Sequence, residues 1–215
     1  MGQASTLFYI RLVNDSYNDK HSNNAPAFTL FSTDFEAINN LLPHRSASLD
    51  EKIARYLKAM LDKDIACIVI PNITIHETVD AVWDDLDSPI PLAHPISGTI
   101  KRMSLKNKTK AVLFGSRYTM NSDYIKTAFA NSEIDIKKPK PKDLEFIDFV
   151  RRQVYSEIAS KATLQKFNDL VQHYSDESTV LLSCSELSLA SKIKNENVLD
   201  MADIQVEDAI SLINL

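Results

Sequence analysis

The sequence predicts an α/β protein made of two similar three-layer α/β/α lobes, with parallel sheets, a pseudo-twofold relation and a ligand cleft between the lobes. Short apolar runs alternate along the 215 residues with longer segments of helical periodicity. This alternation is typical of βαβ units and parallel sheets. A weak internal repeat relates the segment 68–72 to the segment 180–184, which indicates two halves of similar construction.

Five short apolar runs are predicted to be strands. The clearest is a continuous apolar stretch of the kind found in strands that are covered on both faces. That stretch is 65–70, and the other four runs are 28–31, 90–93, 111–114 and 179–182.

Three longer segments carry apolar residues at helical spacing, and they separate the strands. They are 49–62, 143–158 and 164–174. We expect an N-terminal lobe of residues 1–97, to which a C-terminal helix within 199–215 returns, and a C-terminal lobe of residues 98–198.

Composition narrows the class of protein. A net charge of -5 and a pI near 5.5 argue against a nucleic-acid groove, which would need a basic surface. The longest apolar run, 65–71, is far shorter than the roughly 20 residues that a membrane span needs. The N-terminus lacks the pattern of a signal peptide, so we expect a cytoplasmic protein.

The sequence contains no motif for a structural metal site or for a phosphate-binding loop. The two cysteines and five histidines are not spaced as structural zinc ligands, and we expect neither a metal nor a cofactor. The three glycines are too few and too scattered for a glycine-rich phosphate loop.

One candidate catalytic position follows each of two equivalent strands. Asn72 and Cys184 occupy matching places in the internal repeat, and ligands of parallel sheets bind beyond the carboxyl ends of strands. We therefore expect the two side chains to face each other across the cleft. Cys67 lies on the opposite face of the first strand and is predicted to be a core residue, so the cleft holds at most one catalytic cysteine. On its context alone, Cys184 is equally compatible with a small buried apolar residue.

Three segments carry a specific resemblance. Residues 71–76, Pro-Asn-Ile-Thr-Ile-His, are similar to a Pro-Cys-Asn-Thr-Ala-His motif. Residues 183–187, Ser-Cys-Ser-Glu-Leu, are similar to Gly-Cys-Thr-Glu-Leu, and residues 115–120 resemble a Gly-Thr-Arg-x-Thr-Met loop. In this order and spacing, the motifs resemble the aspartate/glutamate racemase family over nearly the whole chain.

The resemblance implies a set of substrate-binding residues. Arg45 matches a family arginine that binds a substrate carboxylate, and Lys161 matches a second anchoring cation. The two would hold the two carboxylates of a dicarboxylic amino acid, since arginine suits a bidentate grip. The remaining implied substrate contacts are Thr74, Thr119, Ser185, Glu186 and Gln3.

One departure from the family changes the expected chemistry. The family reaction resembles a cofactor-independent racemisation with two cysteine bases, and Asn72 replaces the first cysteine. A carboxamide cannot accept a proton at neutral pH. The resemblance therefore implies an isomerase, as a homodimer, that is impaired or one-sided because only Cys184 remains. The alternatives are a non-catalytic dicarboxylate-binding protein and a single-cysteine decarboxylase or double-bond isomerase.

The other departure concerns the start of the chain, which resembles the inside of the family's first turn. We expect the first strand of the first sheet to be missing, which would leave the runs 28–31 and 65–70 with unpaired edges. Met1 would then be an internal methionine of a longer chain, or the first half would be rearranged, or the fold would tolerate the loss.

Overall fold

A computed structural model describes residues 2–21 and 25–213 and shows an α/β fold with parallel sheets. Two short 3-10 helices, Ile73–Ile75 and Asp84–Leu86, flank the helix His76–Trp83 in the first lobe. The strands are β1 Ile68–Val69, β2 Leu92–Ala93, β3 Lys110–Phe114, β4 Asp135–Lys137, β5 Thr179–Leu182 and β6 Val198–Asp200. The helices are α1 Gln3–His21, α2 Phe35–Asn39, α3 Ala47–Leu61, α4 His76–Trp83, α5 Pro95–Leu105, α6 Arg117–Asn121, α7 Asp123–Ala130, α8 Pro141–Tyr155, α9 Lys161–Glu177, α10 Ser185–Ala190 and α11 Met201–Leu212.

The second lobe is the three-layer unit that the sequence predicts. Its parallel sheet has the strand order β4-β3-β5-β6, with Val112 paired to Val180 in the central register. Successive side chains of β3 point to opposite faces, so that Leu113 and Phe114 enter different apolar clusters. Helices α5, α7 and α11 cover one face of the sheet, and α8, α9 and α10 cover the other.

The first lobe has a smaller sheet. Strands β1 and β2 pair in parallel, with Ile68 opposite Leu92. The lobe's apolar cluster comes mainly from α2, α3 and α4, and Leu57 and Val79 are among its fully enclosed residues. This lobe therefore depends more on helix packing than on strand pairing.

The prediction of a strand at 28–31 is wrong. The segment forms no strand, and Phe28 and Leu30 remain 50% and 56% exposed. It pairs with no described strand, and a strand needs a neighbour for its backbone groups. For the same reason the run 65–70 is shortened to the two residues of β1.

Apolar patterning predicts some of the other helices and strands and misses others. The predicted helices 49–62, 143–158 and 164–174 appear as α3, α8 and α9. Strands β4 and β6 were not predicted, because each has three residues and mixed polarity. None of the described helices combines the length and the apolar character that a membrane span requires.

Gln205 ties the first sheet to the helices that cross between the lobes. The side chain is 1% exposed, and its Nε2 donates to the carbonyl groups of Ile70, at 3.2 Å, and Ala93, at 2.9 Å. Its Oε1 accepts a hydrogen bond of 3.0 Å from the hydroxyl of Tyr9 on α1. One amide therefore joins the ends of β1 and β2 to α1 and α11. The predicted boundaries of the two lobes stay a prediction.

A buried histidine supports the turn after β1. His76 is fully buried, and its Nδ1 donates a 2.9 Å hydrogen bond to the carbonyl of Asn72. Its ring meets the ring of His94 edge-on, with centroids 4.6 Å apart. Burial, with a smaller effect from His94, lowers the pKa of His76 to about 3. His76 is therefore a neutral hydrogen-bond donor at all physiological pH values.

Replacing Gln205 by methionine, which has a similar shape, should lower the free energy of unfolding by about 2 kcal/mol or more. The reason is that the buried carbonyl of Ala93 and the hydroxyl of Tyr9 would lose this partner, and the carbonyl of Ile70 would keep only the backbone N–H of Asn72. Urea denaturation measures the change. Gln165→Met, on an exposed face of α9, is the matched control and should stay within about 0.5 kcal/mol of the wild type. Equal losses in the two variants would contradict this account.

Acid should weaken the fold through His76. In the unfolded chain His76 takes up a proton near pH 6.5, whereas the folded chain keeps it neutral down to about pH 3. The unfolded state thus binds more protons in this window. Protonation of His76 therefore lowers the free energy of unfolding by about 2 kcal/mol between pH 7 and pH 5. Because the raised pKa of Asp200 opposes this loss in every variant, the test is a difference: between pH 7 and pH 5 the free energy of unfolding should change about 2 kcal/mol less favourably in the wild type and in His173→Gln, an exposed control, than in His76→Gln. The same change in all three proteins would rule out this origin.

Candidate active site

A cavity of about 740 Å³ lies where several parallel strands end. Asn72 and Thr74 follow β1, Thr119 follows β3, and Cys184 follows β5. The carboxyl ends of parallel strands meet at one edge, so the local sequence order alone gathers these side chains. The structure therefore brings together the two catalytic positions that the sequence predicts, on the walls of one cavity.

A glycine permits the close approach of the loops after β3 and β5. A Cβ atom on Gly115 would lie 2.4 Å from the Oγ of Ser183 and 3.1 Å from Thr119. Ser183 uses this space to donate from Oγ to the carbonyl of Phe114, at 2.8 Å. A larger residue at position 115 would therefore displace Ser183, the residue before Cys184, or break its hydrogen bond to Phe114.

Cys184 forms a hydrogen-bonded pair with Glu186. The thiol Sγ donates to Oε2 of Glu186 at 2.7 Å, and this carboxylate is only 8% exposed. Burial is the largest influence on the thiol and raises its pKa well above the usual value. The negative charge of Glu186 raises that pKa further, and the positive charge of Arg151 opposes the increase. Cys184 is therefore a neutral thiol at rest, with an acceptor for its proton in direct contact.

Glu186 is held from both lobes. Its Oε1 accepts a 3.0 Å hydrogen bond from the Oγ of Ser5, a buried residue of α1. The Oγ of Ser185 donates to the Oγ of Ser5 at 2.9 Å. Of the predicted substrate contacts, Ser185 and Glu186 thus line the cavity together with Cys184. Ser5 was not predicted, although it lies in the N-terminal segment that resembles the family's first turn.

Asn72 has a structural partner of its own. Its Oδ1 accepts a 3.0 Å hydrogen bond from the backbone N–H of Thr74 and caps the short helix Ile73–Ile75. Thr119, which is 2% exposed, exchanges a 2.8 Å hydroxyl contact with Ser116 in the loop after β3. Both Asn72 and Thr119 line the cavity, but the Oδ1 of Asn72 and the hydroxyl of Thr119 already have local partners.

Three predicted substrate-binding residues do not line the cavity. Arg45 is exposed and grips both carboxylate oxygens of Asp50, with Nη2 at 2.9 Å from Oδ2. Lys161 is the exposed first residue of α9, and Gln3 is the exposed first residue of α1. The motifs around these three residues predicted substrate contacts. In the folded chain the three side chains lie on the exposed surface outside the cavity.

Three arginines that the sequence analysis missed line the cavity instead. They surround the buried carboxylate of Asp148, which is 6% exposed. Asp148 accepts from the backbone N–H of Arg117 and from the Nε of Arg151, each at 3.1 Å, and the Nε of Arg152 lies 3.3 Å away. One feature of the sequence could have indicated these residues. Asp148, Arg151 and Tyr155 are three and four residues apart, so they form a polar face of α8 beside its apolar stripe.

The floor of the cavity includes a phenol that stays neutral. Tyr9 on α1 donates its hydroxyl to Gln205, and burial, with the nearby carboxyl of Asp200, raises the pKa of Tyr9 far above its ordinary value. Tyr9 is therefore a hydrogen-bond donor and not a base. Among the described residues, no group of three or more His, Cys, Asp or Glu side chains is arranged to hold a metal ion.

Several solved structures share this fold over their whole length. A proposed Asp/Glu racemase from Yersinia pestis has a TM-score of 0.81 at 18% identity, covering 100% of this chain and 97% of that one. An aspartate racemase homologue from Pyrococcus horikoshii OT3 has a TM-score of 0.80 at 21% identity, covering 98% and 94%. The Picrophilus torridus aspartate racemase has a TM-score of 0.71 at 15% identity, covering 100% and 96%.

The sequence itself identifies the family. No protein of curated function matches it significantly. The family model described as Asp/Glu/Hydantoin racemase, however, matches residues 1–209, from the start of the chain to within α11. The motifs after β1, β3 and β5, the two-lobe parallel fold and this match agree, and the chain belongs to the Asp/Glu/Hydantoin racemase family.

Proposed function

We propose that this protein is a cofactor-independent isomerase that acts at the α-carbon of an amino acid with a single thiol, Cys184. The contact that carries the proposal is the 2.7 Å hydrogen bond from Cys184 to Glu186, on the wall of a cavity that Asn72 also lines. A thiol beside a buried carboxylate can take up and return a proton. A carboxamide at the other catalytic position cannot.

Two groups of the protein take part in the proton transfer, the Sγ of Cys184 and the carboxylate of Glu186. Glu186 accepts the Sγ proton while Sγ removes the α-proton of the substrate, so the enzyme gains the proton that the substrate loses. The electron pair left on the α-carbon delocalises into the α-carboxylate, where the positive charge of Arg151 stabilises it. The reverse transfer from Sγ restores the C–H bond and the ionised Glu186.

The position of Asn72 makes the reaction one-sided. Protonation from the Cys184 face returns the original enantiomer. Inversion needs a donor on the opposite face, and Asn72 supplies no titratable group there. Exchange of the α-proton is therefore faster than inversion, and only the enantiomer whose α-proton points to Cys184 exchanges readily.

The family membership supports a dicarboxylic amino acid, aspartate or glutamate, as the substrate. Arg45 and Lys161, which were expected to hold its two carboxylates, do not line the cavity. A cytoplasmic homodimer that binds a small molecule, without nucleic acid or membrane, also remains part of the proposal.

A second candidate is a non-catalytic binding protein. The raised pKa of Cys184 favours it, because a thiol without access to its thiolate is a poor base. A single-cysteine decarboxylase or double-bond isomerase would use the same thiol. Product analysis separates these readings, because loss of carbon dioxide or a moved double bond leaves a new compound.

Proton NMR of separate L- and D-amino acids in deuterium oxide tests the proposal. The α-proton signal of one enantiomer should disappear at least about tenfold faster than the opposite enantiomer accumulates, since a missing general base typically costs about 10²–10⁴-fold. Cys184→Ser should abolish exchange, and Glu186→Gln should slow it by about 10² or more. Cys67→Ser is the matched control, because Cys67 does not line the cavity. Equal exchange of both enantiomers, or exchange that survives Cys184→Ser, would refute the mechanism.

Restoring a base at position 72 should restore inversion. Asn72→Cys should raise the rate of racemisation by at least about tenfold, because it places a second proton-transfer group on the other face of the α-carbon. A circular-dichroism assay from either enantiomer measures the rate, and Asn72→Ser, which keeps a capping oxygen without a thiol, is the control. No gain in Asn72→Cys over Asn72→Ser would show that the missing thiol is not what limits inversion.

A further inference from the structure

One buried carboxylate holds two arginines at the cavity wall. The Nε atoms of Arg151 and Arg152 lie 3.1 Å and 3.3 Å from the two oxygens of Asp148, whose side chain is 9% exposed. All three residues belong to α8, and all three line the cavity. Because both Nε atoms contact the same carboxylate, the two guanidinium groups are neighbours.

Both of these arginines keep their terminal nitrogens for a ligand. Within the described residues, Arg151 and Arg152 contact Asp148 through Nε, and neither forms a hydrogen bond through Nη1 or Nη2. A guanidinium binds a carboxylate most strongly through two parallel N–H groups, which this edge still offers. Arg117, the third arginine of the lining, differs because its Nη2 is paired with Glu145. The wall therefore presents two arginine edges side by side, each able to hold one carboxylate.

The charges that line the cavity leave an excess of one positive charge. The three arginines are accompanied by two carboxylates, Asp148 and Glu186. Glu145 is exposed and lies outside the lining, so water screens its charge. An amino acid with a second carboxylate carries one net negative charge at neutral pH. A ligand of this kind would balance the excess, whereas its amide would not.

Exposure distinguishes the two arginines. Arg151 is 24% exposed, and its positive charge opposes the rise in the pKa of Cys184. The α-carboxylate of a substrate stays beside the reacting α-carbon, so it belongs with the arginine whose charge reaches the thiol. Arg152 is 58% exposed. The second carboxylate extends away from the α-carbon, and at Arg152 it would keep part of its hydration while gaining a partner.

We propose that the two carboxylates of aspartate or glutamate bind Arg151 and Arg152, the α-carboxylate on Arg151 and the side-chain carboxylate on Arg152. The proposal rests on the isomerase proposed above and names the residues that select its dicarboxylic substrate. Two consecutive residues of α8 thus take the roles that the sequence predicted for Arg45 and Lys161.

Titration calorimetry with the acids and their amides separates the two anchors. The wild type should bind one enantiomer of aspartate or glutamate at least about tenfold more tightly than the corresponding asparagine or glutamine, because the amide lacks the second charge. Arg152→Gln should weaken binding of the acid by about tenfold and change binding of the amide by less than about threefold. Arg151→Gln should weaken binding of both by about tenfold, since both carry an α-carboxylate.

Arg45→Gln is the matched control. Arg45 is also paired with an aspartate, but it lies outside the cavity, so the same substitution there should leave both affinities unchanged. Circular dichroism of each variant verifies that the fold is retained.

The outcomes distinguish this inference from the proposed function. Acid binding that depends on Arg152, without α-proton exchange in deuterium oxide, would support the two anchors and overturn the isomerase. Exchange together with an acid-over-amide preference that survives Arg152→Gln would overturn the anchors and keep the isomerase. Equal affinity for acid and amide, no binding of either acid, or a loss in Arg45→Gln as large as that in Arg152→Gln would each overturn the inference.

Discussion

A buried carboxylate is the constraint on which the site depends. Glu186 is almost fully enclosed, and a buried charge must have hydrogen-bond partners or it destabilises the fold. Ser5 satisfies one of its oxygens from α1, and Cys184 satisfies the other from the end of β5. The same contacts that make the charge tolerable therefore fix α1 against the second lobe and aim the thiol. The contacts that stabilise Glu186 thus include the one that is proposed to carry the proton transfer.

The sheet determines where these atoms can meet. The close approach at Gly115 brings the loop after β3 against Ser183, and Ser183 places Cys184 on the cavity wall. On the other side, Gln205 and His76 hold the ends of β1 and β2 and the turn that carries Asn72. Each wall is positioned by buried polar contacts and not by long strands, which is how a two-stranded sheet can still present a defined catalytic position.

The sequence predicts the parts of the fold that are buried on both faces. Strands β3 and β5 are continuous apolar runs, and they lie at the centre of the second sheet. The segment 28–31 has a similar pattern, but none of the described strands pairs with it, and an apolar pattern alone does not show whether a strand has a neighbour. Asn72 and Cys184 were found because strand ends follow directly from chain order. The roles of Arg151 and Arg45 were not predicted correctly, because the position of a long side chain depends on its tertiary contacts. Arg151 binds Asp148 at the cavity wall. Arg45 binds Asp50 outside the cavity.

The neutral state of Cys184 has a consequence beyond proton transfer. Peroxides and alkylating reagents attack the thiolate and not the thiol, so a cysteine whose pKa is raised by burial and by a carboxylate is shielded from both. Under the proposed mechanism the sulfur is protonated at rest, and it becomes a thiolate only while Glu186 holds the proton. The electrostatic environment that makes Cys184 a weak base at rest should therefore also slow its oxidation.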